Sequence, residues 1–340
     1  MGPGDLANSV ESIAALQLPD GLILWNEGGH ADPWNHVETA MALDIGGRHG
    51  AAARAYEWLM ANQLPEGGWH QYYTADGVED AKFDANTIAY IASGVWHHHC
   101  RADDGGFLAA FWPTVERAVD WVVAMQQPTG EIHWAREPDG TPFHYALVTG
   151  SSSIYESLGH ALSIAAAVGK ERPDWTEARE LLATALRHHE REFFAEKDRW
   201  AMDWYYPVLT GVLAGPVAAA RMDRRWTRFV HEGVGVRCVD DHDWVTTGET
   251  AECAMSLARI GDTARAAQLL EWIEQLRAND GSYFTGLAFP DNVHFPADER
   301  TTYSTAAVVL AHDALDSVAV AAAAPFRLVP SIPTVSGSVG

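Results

Sequence analysis

The feature that most constrains this chain is a repeated helix ending. A helix runs into Gln, Pro or Gly stops it, and an aromatic residue follows. The copies are Gln17-Leu-Pro-Asp-Gly-Leu-Ile-Leu-Trp25, Gln63-Leu-Pro-Glu-Gly-Gly-Trp69 and Gln127-Pro-Thr-Gly-Glu-Ile-His-Trp134, with a weaker one at Asn279-Asp-Gly-Ser-Tyr-Phe284. The preceding helices carry Trp58, Trp121 and Trp272, which read as core. Pro and Gly after the Gln end each helix, and the aromatic can fold back on the helix just left. An internal repeat of this kind implies stacked supersecondary units rather than unrelated domains.

A second pattern interleaves with the first: a polar loop enters a helix of small residues. Examples are Asp32-Pro-Trp-Asn-His, Asp84-Ala-Asn-Thr, Thr149-Gly-Ser-Ser-Ser, Thr246-Thr-Gly-Glu-Thr and Thr301-Thr-Tyr-Ser-Thr; Asp203-Trp-Tyr-Tyr-Pro fits loosely. Ser, Thr, Asp and Asn there are good N-caps. The two patterns predict six hairpins: 5–17 with 34–47, 51–63 with 84–99, 112–127 with 150–168, 174–192 with 203–214, 216–232 with 246–260, and 264–277 with 302–316. The first member of each is longer-chained and charged on one face, which suits an outer layer. The second is rich in Ala, Gly and Ser and suits an inner layer. The expected fold is all-α with almost no sheet, a single (α/α)6 toroid over residues 1–324. A mobile tail is expected over 325–340.

The chain has 340 residues, 47% of them hydrophobic, and a formal net charge of −23. That charge argues against nucleic acid and anionic membrane surfaces, both of which call for Lys and Arg clusters. No stretch reaches the ~18 apolar residues of a membrane span. The first nine residues lack the basic and apolar parts of a secretory signal. Cys100, Cys238 and Cys253 have no motif spacing and read as reduced thiols of a cytoplasmic protein. The sequence leaves the oligomeric state open.

The Gln…Gly…Trp turns resemble those of squalene cyclases and protein prenyltransferases, which are α/α toroids. The six-hairpin count resembles (α/α)6 glycoside hydrolases such as glucoamylases and endomannanases. In size and character the chain is also similar to actinobacterial hydrolases of methylmannose polysaccharides. The motifs separate these resemblances. Asp240-Asp-His-Asp-Trp244 lacks the paired final Asp of a proton-initiated cyclase. Asp103-Asp104 and Asp240-Asp241 lack the third Asp of a magnesium-diphosphate site. Cys238, Asp240 and a distant His312 have no zinc-site spacing. The His97-His98-His99 run points its rings in different directions and reads as no metal site. No metal or cofactor is expected, and terpene cyclase or prenyltransferase chemistry is the alternative reading. A non-catalytic oligosaccharide-binding toroid ranks behind both.

Glycoside hydrolysis needs two carboxyls across a cleft and aromatic platforms for sugar faces. The loops before the inner helices hold Asp32, Glu38, Asp84, Glu156, Asp203, Asp243, Glu249, Glu252 and Glu299. Of these, Asp84, Asp203, Glu249 and Glu299 are the candidates for catalysis, by an inverting route if the analogy with hydrolases of this fold holds. Substrate contacts are expected from Asp32, Trp34, His36, Trp69, His70, Trp134, Tyr155, Trp204, Tyr205, Tyr206, Asp243 and Trp244. Structural readings stand beside these. Asp32 and Asp84 also suit plain N-caps. Glu249 also suits a helix N-terminus on electrostatic grounds. Trp69 and Trp134 are open between locking a turn and stacking on a sugar.

Overall fold

The computed structural model describes residues 2–102 and 106–323. The tail expected over 325–340 lies outside them, as does the Asp103-Asp104 pair. The chain is mostly helical. Its helices are α1 (Pro3–Ala14), α2 (Pro33–Ile45), α3 (His49–Asn62), α4 (Ala85–Ala89), α5 (Ile91–Ala102), α6 (Phe107–Val123), α7 (Val148–Ala167), α8 (Pro173–His188), α9 (Glu190–Phe193), α10 (Ala201–Leu209), α11 (Gly215–Phe229), α12 (Thr247–Arg259), α13 (Thr263–Ile273) and α14 (Thr302–Ala323). These lie close to the expected spans. The helix expected over 84–99 is interrupted at Tyr90, and the one expected over 203–214 stops at Leu209, before Gly211 with φ +73°.

Six helices touch in sequence: α2 packs on α5, α5 on α7, α7 on α10, α10 on α12, α12 on α14, and α14 on α2; all but the aromatic α10 are rich in small residues. Helix α2 is buried without a break from His36 to Asp44, as expected of a helix covered on all sides. Outside these, α1, α3, α6, α8, α11 and α13 each pack against one or two of the six.

The repeated turn explains how neighbours are joined. Gln17 donates its Nε2 to Gly21 O and to Ala51 O of α3. Gln63 does the same to Gly67 O and Thr114 O of α6. Gln126 does so to Gly130 O and Ala178 O of α8. The third copy therefore starts at Gln126, one residue before the Gln127 read from sequence; Gln127 bonds locally to Met125 O. The turn glycines have φ of +105°, +105° and +101°. A Cβ there would meet the backbone oxygens of Arg54, Arg117 or Leu181 at 2.3, 2.4 and 2.6 Å. Glycine is needed both for the left-handed backbone and for the close approach. In the fourth turn Arg277 replaces Gln, with Gly281 at φ +89°; it bonds Asp5 Oδ1 at 2.8 Å and Asp5 O at 3.0 Å in α1.

The expectation of almost no sheet needs correction. The strands are β1 (Tyr72–Thr74), β2 (Gly77–Asp80), β3 (Phe83–Asp84), β4 (Ala135–Arg136), β5 (Val230–His231), β6 (Gly235–Arg237), β7 (Trp244–Thr246), β8 (Gly286–Ala288) and β9 (Val293–His294). Strands β1–β2 and β3–β4 form two-stranded pairs, and β5 to β9 form one antiparallel five-stranded sheet in chain order. Long loops ahead of the inner helices carry backbone polar groups that need partners, and here they pair with one another. The sheet carries Trp244 on β7, opposite Ala288.

Candidate active site

The cavity lies at the N-terminal ends of the inner helices and has two compartments. Compartment one, about 230 Å³, is walled by Trp25, Trp34, Trp244 and Tyr303, with Glu38, Glu249 and Glu252 among its polar groups. Compartment two, about 280 Å³, is walled by Trp34, Trp134, Trp200 and Leu147, with Asp84, Asn86 and Asp203. Trp34 and Met202 line both.

Residues of the second helical pattern supply the acids because it places polar side chains at first turns. Asp84 caps α4, its Oδ1 accepting from Asn86 N at 2.9 Å and Thr87 N at 3.1 Å, while Oδ2 accepts from Trp134 Nε1. Asp203 accepts from Thr149 Oγ1 at 2.7 Å and Thr149 N at 3.3 Å, both at Oδ1. Burial pushes each of these carboxyls up to about 6, since a charge there loses its hydration. Asp32 caps α2 and accepts from Trp25 Nε1 at 2.8 Å and Asn35 Nδ2 at 2.7 Å; burial raises it too. Glu249, in the first turn of α12, is half-buried and accepts from Thr246 Oγ1.

Glu38 and Glu252 form a buried carboxyl pair in compartment one. Glu38 accepts from Trp34 Nε1 and Tyr90 Oη, both at 3.3 Å. Glu252 accepts from Tyr206 Oη at 2.8 Å and from Tyr205 Oη. Burial raises Glu38 to about 7, and burial with the Glu38 charge beside it raises Glu252 well above the usual range. Buried carboxyls that feel each other's charge disfavour ionising together. Sequence reasoning counted them among the mouth acids without selecting them. The signal was there in spacing: Glu252 stands three residues after Glu249, and Glu38 four after Trp34, each on one helix face. Trp25, Tyr303, Asn86 and Met202 were not selected either.

Several expected contacts need correction. Trp69 is 1% exposed and donates Nε1 to Leu59 O at 2.8 Å, so it locks its turn. Trp204 is fully buried, stacks on Phe229 at 5.4 Å and donates to Arg221 O. Neither ring is open to a sugar. His36 is buried between Ile23 N and Ala55 O, and burial lowers its imidazole to about 4. Tyr205 and Tyr206 are buried too; both reach Glu252 through their hydroxyls, and the Tyr206 ring meets Trp34 edge-on at 5.8 Å. Tyr155 lies under the Arg179 guanidinium at 4.0 Å, facing α8. His70 bonds Ala81 O, and Asp243 pairs with Arg237 at the exposed end of the β6–β7 hairpin. Glu299 bonds Thr285 Oγ1 and lines an outer cleft with Glu11 and Arg300. The structure brings Trp34, Asp84, Trp134, Asp203, Trp244 and Glu249 together around the cavity, with Asp32 behind Trp25 and Asn35.

Trp58 and Trp121 are buried and Trp272 partly so. His98 and His49 both bond the buried Asp44, at the opposite end of α2 from the cavity. Among the described residues no group of three His, Cys, Asp or Glu is arranged to hold a metal ion. No described helix is long and apolar enough to cross a membrane.

No family model matches the chain. It is 46% identical over 313 residues to the MMP endo-(1,4)-3-O-methyl-alpha-D-mannosidase of Mycolicibacterium hassiacum, covering 92% of this chain and 86% of that protein. A solved wild-type glycosidase superposes with a TM-score of 0.75 at 17% identity, over 92% of this chain and 97% of that one. A D-mannose isomerase does so with a TM-score of 0.67 at 12% identity, over 92% and 97%. The two structures speak to the fold alone. These comparisons support the glycosidase side of the resemblance and lend nothing to the cyclase side. An acidic, aromatic-walled cavity and a mannosidase relative define a glycoside hydrolase. Within that class, the chain belongs to the family of the MMP endo-(1,4)-3-O-methyl-alpha-D-mannosidase.

Proposed function

We propose that the chain is an (α/α)6 toroid of six hairpins that cleaves internal α-(1→4) bonds of a 3-O-methylmannose polysaccharide with inversion. The observation that carries the reading is an open cavity walled by Trp faces and supplied with carboxyls in different environments. The closed run of contacts through α2, α5, α7, α10, α12 and α14 supports the toroid. Two neighbouring compartments that share Trp34 and Met202 suit cleavage within a chain, because sugars can lie on both sides of the reacting bond. The polymer class follows the relative's substrate. The cytoplasm is the proposed compartment, with a carbohydrate as the partner.

Inversion needs an acid and a base about 6.5–9.5 Å apart with a water between them and the sugar. Asp203 and Glu249 sit in the first turns of α10 and α12, which pack side by side. Asp203 is the proposed acid. Burial raises it to about 6, so it keeps its proton to a higher pH than an ordinary carboxyl, and among the described residues its Oδ2 receives no hydrogen bond. Glu249 is the proposed base, half-buried on the wall of compartment one. Asp32 is the second candidate acid, because burial also raises it and its partners Trp25 and Asn35 line the same compartment as Glu249.

The test is turnover of a 3-O-methylated α-(1→4)-mannan, with the product anomer followed by proton NMR. Wild type should release the β-anomer first. Glu249→Gln and Asp203→Asn should each lower kcat by ~10²-fold or more with helix content unchanged. If Asp32→Asn is silenced while Asp203→Asn turns over normally, the acid is Asp32. Full turnover in all three variants, or first release of the α-anomer, would overturn the mechanism.

A further inference from the structure

Cleavage chemistry does not explain why compartment two is so apolar. Trp34, Trp134, Leu147, Trp200 and Met202 make most of its wall. Its polar groups are Asp84, Asn86, Thr149 and Asp203, at the starts of α4, α7 and α10, and the exposed Lys197 in the loop before α10. One of the buried ones lacks a partner. Asn86 is 4% exposed, and among the described residues nothing bonds its Oδ1. A buried acceptor left without a donor is costly in a native fold and marks a place where a ligand or water belongs.

A free sugar presents a hydroxyl at nearly every ring carbon, and each needs a partner once buried. Against Leu147 and Met202 a hydroxyl would find none. A methyl ether has no proton to satisfy and adds apolar surface that such a wall covers well. We infer that compartment two is the subsite for one 3-O-methylmannosyl unit, its methoxy group against Leu147 and Met202 and one of its free hydroxyls donating to Asn86 Oδ1. Trp34 and Trp134 then cover the sugar ring. The inference rests on the mannosidase reading above and adds the residues that tell a methylated sugar from an unmethylated one.

Leu147 gives a clean test because it occupies the N-cap of α7 with φ −113° and ψ 138°. Asn is among the residues preferred at an N-cap, so Leu147→Asn makes the wall polar while favouring the helix. The measurement is kcat/KM for an α-(1→4)-linked 3-O-methylmannose tetrasaccharide and for its unmethylated counterpart. Wild type should prefer the methylated substrate, and Leu147→Asn should lower that preference by about tenfold, the scale of one methyl group in an apolar pocket. Met202→Gln should move it in the same direction. Asn86→Ala should weaken both substrates alike. Calorimetric binding of the two tetrasaccharides to Glu249→Gln, with and without Leu147→Asn, gives the same comparison without turnover. An unchanged preference in both wall variants, or equal use of both substrates by wild type, would overturn the subsite and leave the hydrolase reading standing. Failure of wild type to cleave either tetrasaccharide would instead overturn the hydrolase reading itself.

Discussion

Trp69 and Trp134 follow turns of the same design, yet one is core and the other walls the cavity. Counting from the clasping Gln explains it. Trp69 stands six residues after Gln63, the place held by Ile23 after Gln17, Ile132 after Gln126 and Tyr283 after Arg277. In those three turns this residue bridges back to the clasping one, and all four side chains are buried. Trp134 stands eight residues after Gln126, as Trp25 stands eight after Gln17. Both rings donate Nε1 to the capping Asp of an inner helix, Asp84 and Asp32 respectively. Position within the turn assigns an aromatic to lock or platform; its identity does not.

Three measurements sharpen or break that contrast. The largest effect is expected at the lock. Trp69→Ala removes a fully enclosed ring and the bond to Leu59 O, and should cost ~3–5 kcal/mol of stability by denaturant titration. A loss below about 1 kcal/mol would return Trp69 to the cavity.

The platform side should show itself in pH. Asp84 and Asp203 have folded values near 6 against an ordinary 3.8, so the native state holds more protons than the unfolded chain in between. Their contribution is fully present below about 4 and is lost as pH rises through 6, by up to roughly 3 kcal/mol for each group. Stability should therefore fall over that window in wild type and fall less in Asp84→Asn. Identical slopes would mean that the Asp84 carboxyl is ionised throughout.

The smallest effect is expected at the platform ring. Trp134→Phe keeps an aromatic face and removes the Nε1 donor from Asp84. It should raise KM by about three- to tenfold and cost only about 1 kcal/mol of stability. A loss of stability as large as that of Trp69→Ala, with KM unmoved, would make the two positions equivalent after all.

Much of the fold was legible in sequence because stop signals are local. Gly21, Gly67 and Gly130 end their helices for backbone reasons that any reader can apply. The one-residue error at Gln127 arose because two adjacent Gln residues offer the same chemistry, and only reach to Ala178 O distinguishes them. The five-stranded sheet was not legible, since its strands are two or three residues long and pair across distant loops. The site was legible by residue type and less so by direction. Asp203-Trp-Tyr-Tyr places three rings in succession, and all three turn into the core while Asp203 and Met202 face the cavity. Glu38 and Glu252 acquire their character from burial, and Glu252 also from the Glu38 charge, which no single stretch of chain displays.

The clasp between Arg277 and Asp5 differs from its three counterparts in what the covalent chain does beside it. Gln17, Gln63 and Gln126 each tie one outer helix to the next outer helix along the chain, and the polypeptide already connects those two. Arg277 ties α13 to α1, where no polypeptide runs. Ser9 Oγ on Gly281 O at 2.7 Å and the packing of α1 on α14 close the same joint. The run of helices is thus a belt with one buckle, fastened by side chains and packing instead of by the backbone. Compartment one lies across that buckle, with Trp25 and Trp34 from one side of it and Thr285 and Tyr303 from the other.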